Sequence, residues 1–197
     1  SESYINYVGA LTPDNWAISP EMTIPANAVD ATLSFYFAAQ DPDYAAEPIG
    51  VYVGTGADVS AYEQLGVFIP DSDIYENITV DLTAYAGETI SVAFRHFDVT
   101  DMFAVKIDQV EVFVTAGGDE PDPTPSPDPS PEPGDALFGE FFEEDPTVDW
   151  TFVDADGDGN NWIWDYDAGL DSYEGVGHIR SESYINYVGA LTPDNWA

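Results

Sequence analysis

SESYINYVGALTPDNWA opens the chain at Ser1–Ala17 and closes it at Ser181–Ala197, identical at every position. Chance does not produce identity over so long a segment. The two copies start 180 residues apart, too far for a solenoid unit and suited to a whole domain with its connector. The chain then reads as one period of a tandem array plus the start of the next, cut at a phase that ignores the domain boundary. A duplication introduced by cloning, or to complete a truncated domain, is the alternative.

Outward from the first copy, short apolar alternations follow one another. Leu33, Phe35 and Phe37 share one face of 30–40. Ile49, Val51 and Val53 repeat the pattern, as do Ile78, Val80 and Leu82. In 90–97, Ile90, Val92, Phe94 and His96 share a parity, which predicts a buried, hydrogen-bonded His96. The stretch 103–115 changes face: Phe103, Val105 and Ile107 have one parity, Val110, Val112 and Val114 the other. A strand does this only through a bulge or kink, placed here at Asp108-Gln109. No segment carries a helical stripe. Many short strands between turns predict an all-β antiparallel sandwich.

Gly117–Asp135, GGDEPDPTPSPDPSPEPGD, cannot pack. It predicts a stiff polyproline spacer of roughly 60 Å at full reach, with Ser and Thr open to O-glycosylation; Asn77-Ile78-Thr79 is a lone N-glycosylation sequon. A new domain front begins beyond it. The predicted organisation is residues 1–116 as the C-terminal portion of one sandwich, 117–136 as linker, and 137–197 as the N-terminal portion of the next copy.

The formal charge is −35, from 38 acidic and 3 basic residues. Such a surface repels nucleic acid and anionic membranes and attracts divalent cations; adaptation to high salt would give the same charge. Cysteine is absent, so an extracellular domain of this kind needs a clamp other than a disulfide, and bound metal is the usual one. No apolar run reaches membrane-spanning length.

Read from 137 to 180 and then through 1–116, the chain shows DWTFVDADGDGNNW, SESYIN, LTPDNW, FAAQDPDYAAE and FRHFDVTDMF in order. These blocks resemble the cleaved-adhesin domains, the haemagglutinin/adhesin modules of bacterial surface proteins. The resemblance implies a jelly-roll β-sandwich related to carbohydrate-binding modules, with structural calcium and an adhesive rather than catalytic role. It fixes no sugar, haem or protein ligand.

Asp154-Ala155-Asp156-Gly157-Asp158-Gly159-Asn160 is the strongest candidate site. Carboxylates on alternate positions, with glycine to curl the chain, suit one hard cation, and Asp165 falls where an EF-hand-like loop has its last carboxylate. Oxygen donors in a flexible loop favour Ca²⁺ over Mg²⁺. A solvated acidic turn is the plain alternative. A second calcium cluster, supported mainly by the resemblance, comprises Asp41, Asp43, Glu47 and Asp101. A third would pair Asp108 at the bulge with Glu140, Glu143 or Glu144 from the domain's first strand.

Arg95 and Lys106 are expected to pair with local carboxylates. Trp150, Trp162 and Trp164 read as aromatic core in preference to a sugar platform. No nucleophile–base arrangement is visible, so no enzyme is expected. The reading is a secreted or cell-surface structural and adhesive protein, its calcium-stiffened beads joined head-to-tail with neighbouring copies, completed by the preceding repeat, by strand donation from another chain, or by fold-back within one chain. Its adhesion target would be a surface glycan or protein. The alternative is a carbohydrate-binding module of a secreted multidomain enzyme.

Overall fold

The computed structural model describes residues 4–5, 9–117, 136–166 and 172–182. Most of the predicted spacer and the second motif beyond Glu182 lie outside the described residues. The strands are β1 (Tyr4–Ile5), β2 (Gly9–Ala10), β3 (Asn15–Ile18), β4 (Met22–Thr23), β5 (Ala28–Ala39), β6 (Ile49–Gly54) and β7 (Glu63–Phe68). They continue with β8 (Glu76–Asp81), β9 (Thr89–His96), β10 (Ala104–Ala116), β11 (Phe138–Glu140), β12 (Thr151–Asp154), β13 (Trp162–Tyr166) and β14 (Gly177–Glu182).

One sheet runs β13-β14-β10-β5-β8, with β11 also on β10. The other runs β12-β3-β9-β6-β7, with β4 on β9, and β1 and β2 pair separately. Neighbours are antiparallel. The chain crosses repeatedly between the sheets, as in a jelly roll. No helix among the described residues is long and apolar enough to cross a membrane.

The alternating apolar faces meet between the sheets. Phe35 lies edge-on to Phe37, Phe68 and Phe94, with ring centroids 6.0, 6.2 and 4.9 Å away. Phe142, Trp150, Trp162 and Ile179 join the same buried cluster, so residues 138–182 and the earlier strands share one core within this chain. Trp150 and Trp162 are buried there, as expected of core aromatics, and Trp164 packs against it.

β10 organises the first sheet. β14 pairs with Ala104–Ile107 and β11 with Val110–Val112, end to end on one edge. Between them the register with β5 shifts from Asp108 to Glu111, and Gln109 takes φ 46°. This is the predicted bulge, and it turns both apolar parities of the strand inward.

β3 and β7 are among the strands that escape the sequence reading. β3 lies outside the predicted alternating runs, and all four of its residues are buried: Ala17 faces the main core, while Trp16 and Ile18 sit with Tyr52 and Tyr62 in a second cluster. A strand covered on both faces shows no alternation. β7 is an edge strand with little burial.

Phe35→Ala should cost about 3–5 kcal/mol in chemical denaturation. Gly177→Ala should cost about 1–3 kcal/mol, because a Cβ there collides with the Phe142 carbonyl.

Candidate functional site

The acidic turn lies where β12 leaves the second sheet. β3 pairs with β12 through Asn15 and Asp154, and Asp14 accepts a hydrogen bond from the Ala155 N–H. Beyond Asp154 the chain curls through Gly157 at φ 74° and Gly159 at φ 86°, a left-handed backbone that glycine adopts without steric cost. The curl aims N–H groups at the carboxylates: Gly157 and Gly159 donate to Asp154 at 2.7 and 2.9 Å, and Asn160 donates to Asp158 at 2.7 Å. Asp156 accepts from the Asp14 N–H at 3.2 Å.

Asp154, Asp156 and Asp158 each bring an oxygen within 4.8 Å of the others, the only such trio of His, Cys, Asp or Glu groups among the described residues. Burial, a hydrogen bond with Asp154 and the charge of Asp158 push the Asp156 carboxyl up to about 7. Burial opposes ionisation of Asp154 as well, but hydrogen bonds from Asp156 and from the Gly159 and Gly157 N–H groups hold it below its ordinary value. The pair therefore keeps a proton where a divalent cation would fit. The donors are hard oxygens on a glycine-hinged loop, which suits Ca²⁺.

The other predicted ligands are placed as follows. The Asn160 amide donates to Asp158 at 3.0 Å. Asp165 is on β13, 3.0 Å from Arg180 Nε in an ion pair, away from the trio. Asp41 caps the 3-10 turn Pro42–Tyr44 by accepting the Asp43 N–H at 2.8 Å. Asp43 and Asp101 are exposed, and Asp101 has φ 64°. Glu47 is fully buried elsewhere. Asp41, Asp43, Glu47 and Asp101 thus form no ligand trio among the described residues; Asp41, Asp43 and Glu47 are close in sequence, but Glu47 is buried against His96.

Asp108 is fully buried at the junction of β11 and β14. It accepts N–H bonds from Gln109 and Tyr173 at 2.7 and 2.8 Å, and from Glu174 at 3.4 Å. Burial raises its carboxyl to about 6 against those bonds, with help from the charge of Glu143. Glu143 accepts the Val176 N–H at 3.0 Å, and Glu140 accepts that of Phe142 at 2.8 Å. Glu143, Gln109 and Glu174 line a cavity of about 280 Å³. Glu143 and Glu174 thus face the same cavity, and Asp108 is not in its lining.

One polar arrangement is absent from the sequence reading. His96 bridges the sheets, with Nε2 2.6 Å from Glu47 and Nδ1 2.9 Å from Ser181 Oγ. Burial holds the imidazole below its ordinary pKa, against the charge of Glu47. A neutral ring then donates from Nε2 to Glu47 and accepts from Ser181 at Nδ1. The order acid–imidazole–hydroxyl matches that of hydrolase triads, but all three side chains are fully buried and no substrate reaches them. The parity of His96 gives its burial; nothing marks Glu47 among 38 acids.

Arg95 pairs with a local carboxylate as expected: its Nε and its terminal nitrogen each lie 2.7 Å from an Asp14 oxygen. Its guanidinium also lies over the Trp16 and Phe97 rings.

A family profile described as Cleaved Adhesin Domain matches residues 1–68, 66–112 and 136–197. The sequence is 34% identical over 218 residues to Lys-gingipain of Porphyromonas gingivalis, covering 100% of this chain and 11% of that protein. It is 33% identical over 223 residues to Hemagglutinin A of the same species, covering 100% of this chain and 8% of that protein. The chain thus spans about a tenth of the length of these curated relatives. Among solved structures, the K3 cleaved adhesin domain of Lys-gingipain from P. gingivalis W83 superposes with a TM-score of 0.50 at 34% identity, over 59% of this chain and 72% of that one.

Asp108 and Asp156 each add to the pH response of the metal-free chain a part that opposes the lowered acids such as Asp154. Both folded-state pKa values lie above the ordinary 3.8. Their contribution to stability is complete below that value and is lost as pH rises through about 6 for Asp108 and about 7 for Asp156. The melting temperature of chelated protein should therefore fall across this window, and Asp156→Asn should flatten its upper part. Separately, His96→Ala should cost about 1–3 kcal/mol, measured by denaturant titration.

Proposed function

The chain belongs to the cleaved adhesin domain family, and on that premise we propose that it is a calcium-stiffened bead of an extracellular or cell-surface adhesive protein, joined head-to-tail to neighbouring copies. A catalytic role is not part of this reading.

The observation that carries it is the seam. Ser181 and Glu182 begin the second copy of the repeated motif, and they end β14. Asn15–Ala17 end the first copy, and they form most of β3. One sandwich therefore uses the front of one copy and the back of the other. This is the arrangement expected where a domain is phased across a repeat boundary. Each junction between copies would then be stitched by the same motif.

The spacer adds a physical reason for joining different copies. Gly117 donates to Asn27 and Leu137 donates to Val112, so both spacer ends lie along the end of β10. Those anchors are separated by five residues of strand, about 17 Å. A self-repelling polyproline segment favours extension to roughly 60 Å. In the structure the strands after the spacer close on those of the same chain; a neighbouring copy would receive the same strands without doubling the spacer back. The charge of −35 keeps such copies apart except where a cation is bound.

Calcium would act at the 154–158 turn, which is hydrogen-bonded to Asp14, itself part of the repeated motif and paired with Arg95. At calcium one hundred times the dissociation constant the gain is about 2.7 kcal/mol, or roughly 5–10 °C in melting temperature for a domain of this size. A melting temperature unchanged by chelation would count against the calcium reading. The assembly reading has its own measurement. Cutting the spacer to about two residues leaves three Cα–Cα steps, a reach of only ~11 Å, too short for closure within one chain. Light scattering should then show open oligomers that grow with concentration; a strictly monomeric, folded product would refute head-to-tail exchange.

A further inference from the structure

The outer face of the first sheet carries a pocket that neither metal reading uses. Tyr36 on β5 stacks on Tyr173, with centroids 3.7 Å apart and planes 16° from parallel. Tyr75 stands edge-on to Tyr173 at 5.8 Å. Between Tyr75 and Tyr173 opens a cavity of about 370 Å³, with Gln40, Asp73, Lys106 and Ser172 among its lining. That volume is at the low end for small-molecule sites, about 300–1,000 Å³. We infer that this pocket binds an uncharged sugar ring.

The chemistry selects against other ligands. An aromatic-walled pocket attracts organic cations, but the Lys106 ammonium already lies 5.2 Å from the centroid of the Tyr75 ring and repels a second positive charge. An anion meets Asp73 in the lining and a chain of formal charge −35. A purely apolar ligand leaves Gln40 unanswered: its side-chain oxygen is buried and has no hydrogen-bond partner among the described residues. A buried acceptor of this kind is costly until a donor reaches it. A pyranose meets each condition. Its C–H face packs on tyrosine, its hydroxyls donate to Gln40 and Asp73, and its ring oxygen accepts from the lysine.

This places a carbohydrate site on tyrosines, whereas the tryptophans of the domain are core. Tyr173 is 42% exposed and Ile74 on the rim is 71% exposed, so both can be changed without opening the sandwich. The inference rests on the adhesive reading and gives it a ligand class.

The test is titration of the full chain with methyl α-mannopyranoside, methyl β-galactopyranoside and methyl β-glucopyranoside, followed by backbone amide chemical shifts. At least one glycoside should give saturable shifts centred on residues 73–75 and 172–173. Tyr173→Ala should weaken that binding about tenfold, and Gln40→Leu by a similar factor. Ile74→Trp, which fills the mouth from an exposed position, should abolish it with the melting temperature unchanged. Absence of saturable binding by all three glycosides would overturn the proposal, as would undiminished binding in folded Tyr173→Ala. Binding of tetramethylammonium in their place would also overturn it. A chain that adheres to a deglycosylated protein surface yet ignores the glycosides would leave the adhesive reading standing and remove this one.

Discussion

The sandwich depends on how one edge of β10 is covered. That strand has 13 residues, and no single partner spans its outer edge. β14 covers its start and β11 covers its middle. A gap in a buried ladder leaves N–H groups without partners, which a folded chain does not tolerate. Asp108 fills the gap. The bulge turns its carboxyl into the junction, where it takes the N–H groups of Gln109, Tyr173 and Glu174. The loop before β14 is held in this way, and β14 then carries β13. The strongly raised pKa of Asp108 is the electrostatic cost of placing an acid in that position.

A second buried polar contact joins the two sheets. His96 is on β9 of one sheet and Ser181 is on β14 of the other, with Glu47 at the far nitrogen. His96 is also the cross-strand partner of Asn15. One imidazole therefore has the first residue of one motif copy on one side and the fifteenth residue of the other copy beside it in the ladder. A hydrophobic contact at this position would tolerate sliding. A directed hydrogen-bond relay with no access to water fixes both register and spacing.

Much of this was legible in the residues. The period-two runs gave β5, β6, β8 and β9 with the correct inward faces, because their larger apolar residues alternate toward the core, even where, as at Tyr52 and Ala93, the other face is covered too. The change of parity across Asp108-Gln109 located the bulge. The alternating aspartates with interleaved glycines gave the one carboxylate trio found among the described residues. Asp165 was out of reach of such reasoning, since loop spacing says nothing about Arg180 on the next strand. Closeness in sequence groups Glu47 with Asp41 and Asp43, yet the chain turns it toward His96. The tyrosine pocket was invisible for a related reason. Tyr36, Tyr75 and Tyr173 come from three distant segments, and only the sheet brings them together.

The positions of the three basic residues have a consequence for the life of such a chain outside a cell. Arg95 is within β9, Lys106 within β10 and Arg180 within β14. All three are in strands paired on both sides, and no other lysine or arginine exists. A protease that cuts after basic residues needs an extended, unpaired stretch to thread its cleft, and the closed sandwich offers none. The acidic spacer, for all its length, offers no basic residue to cut after. Digestion by such an enzyme becomes a clock for the opening of the β-sheets themselves.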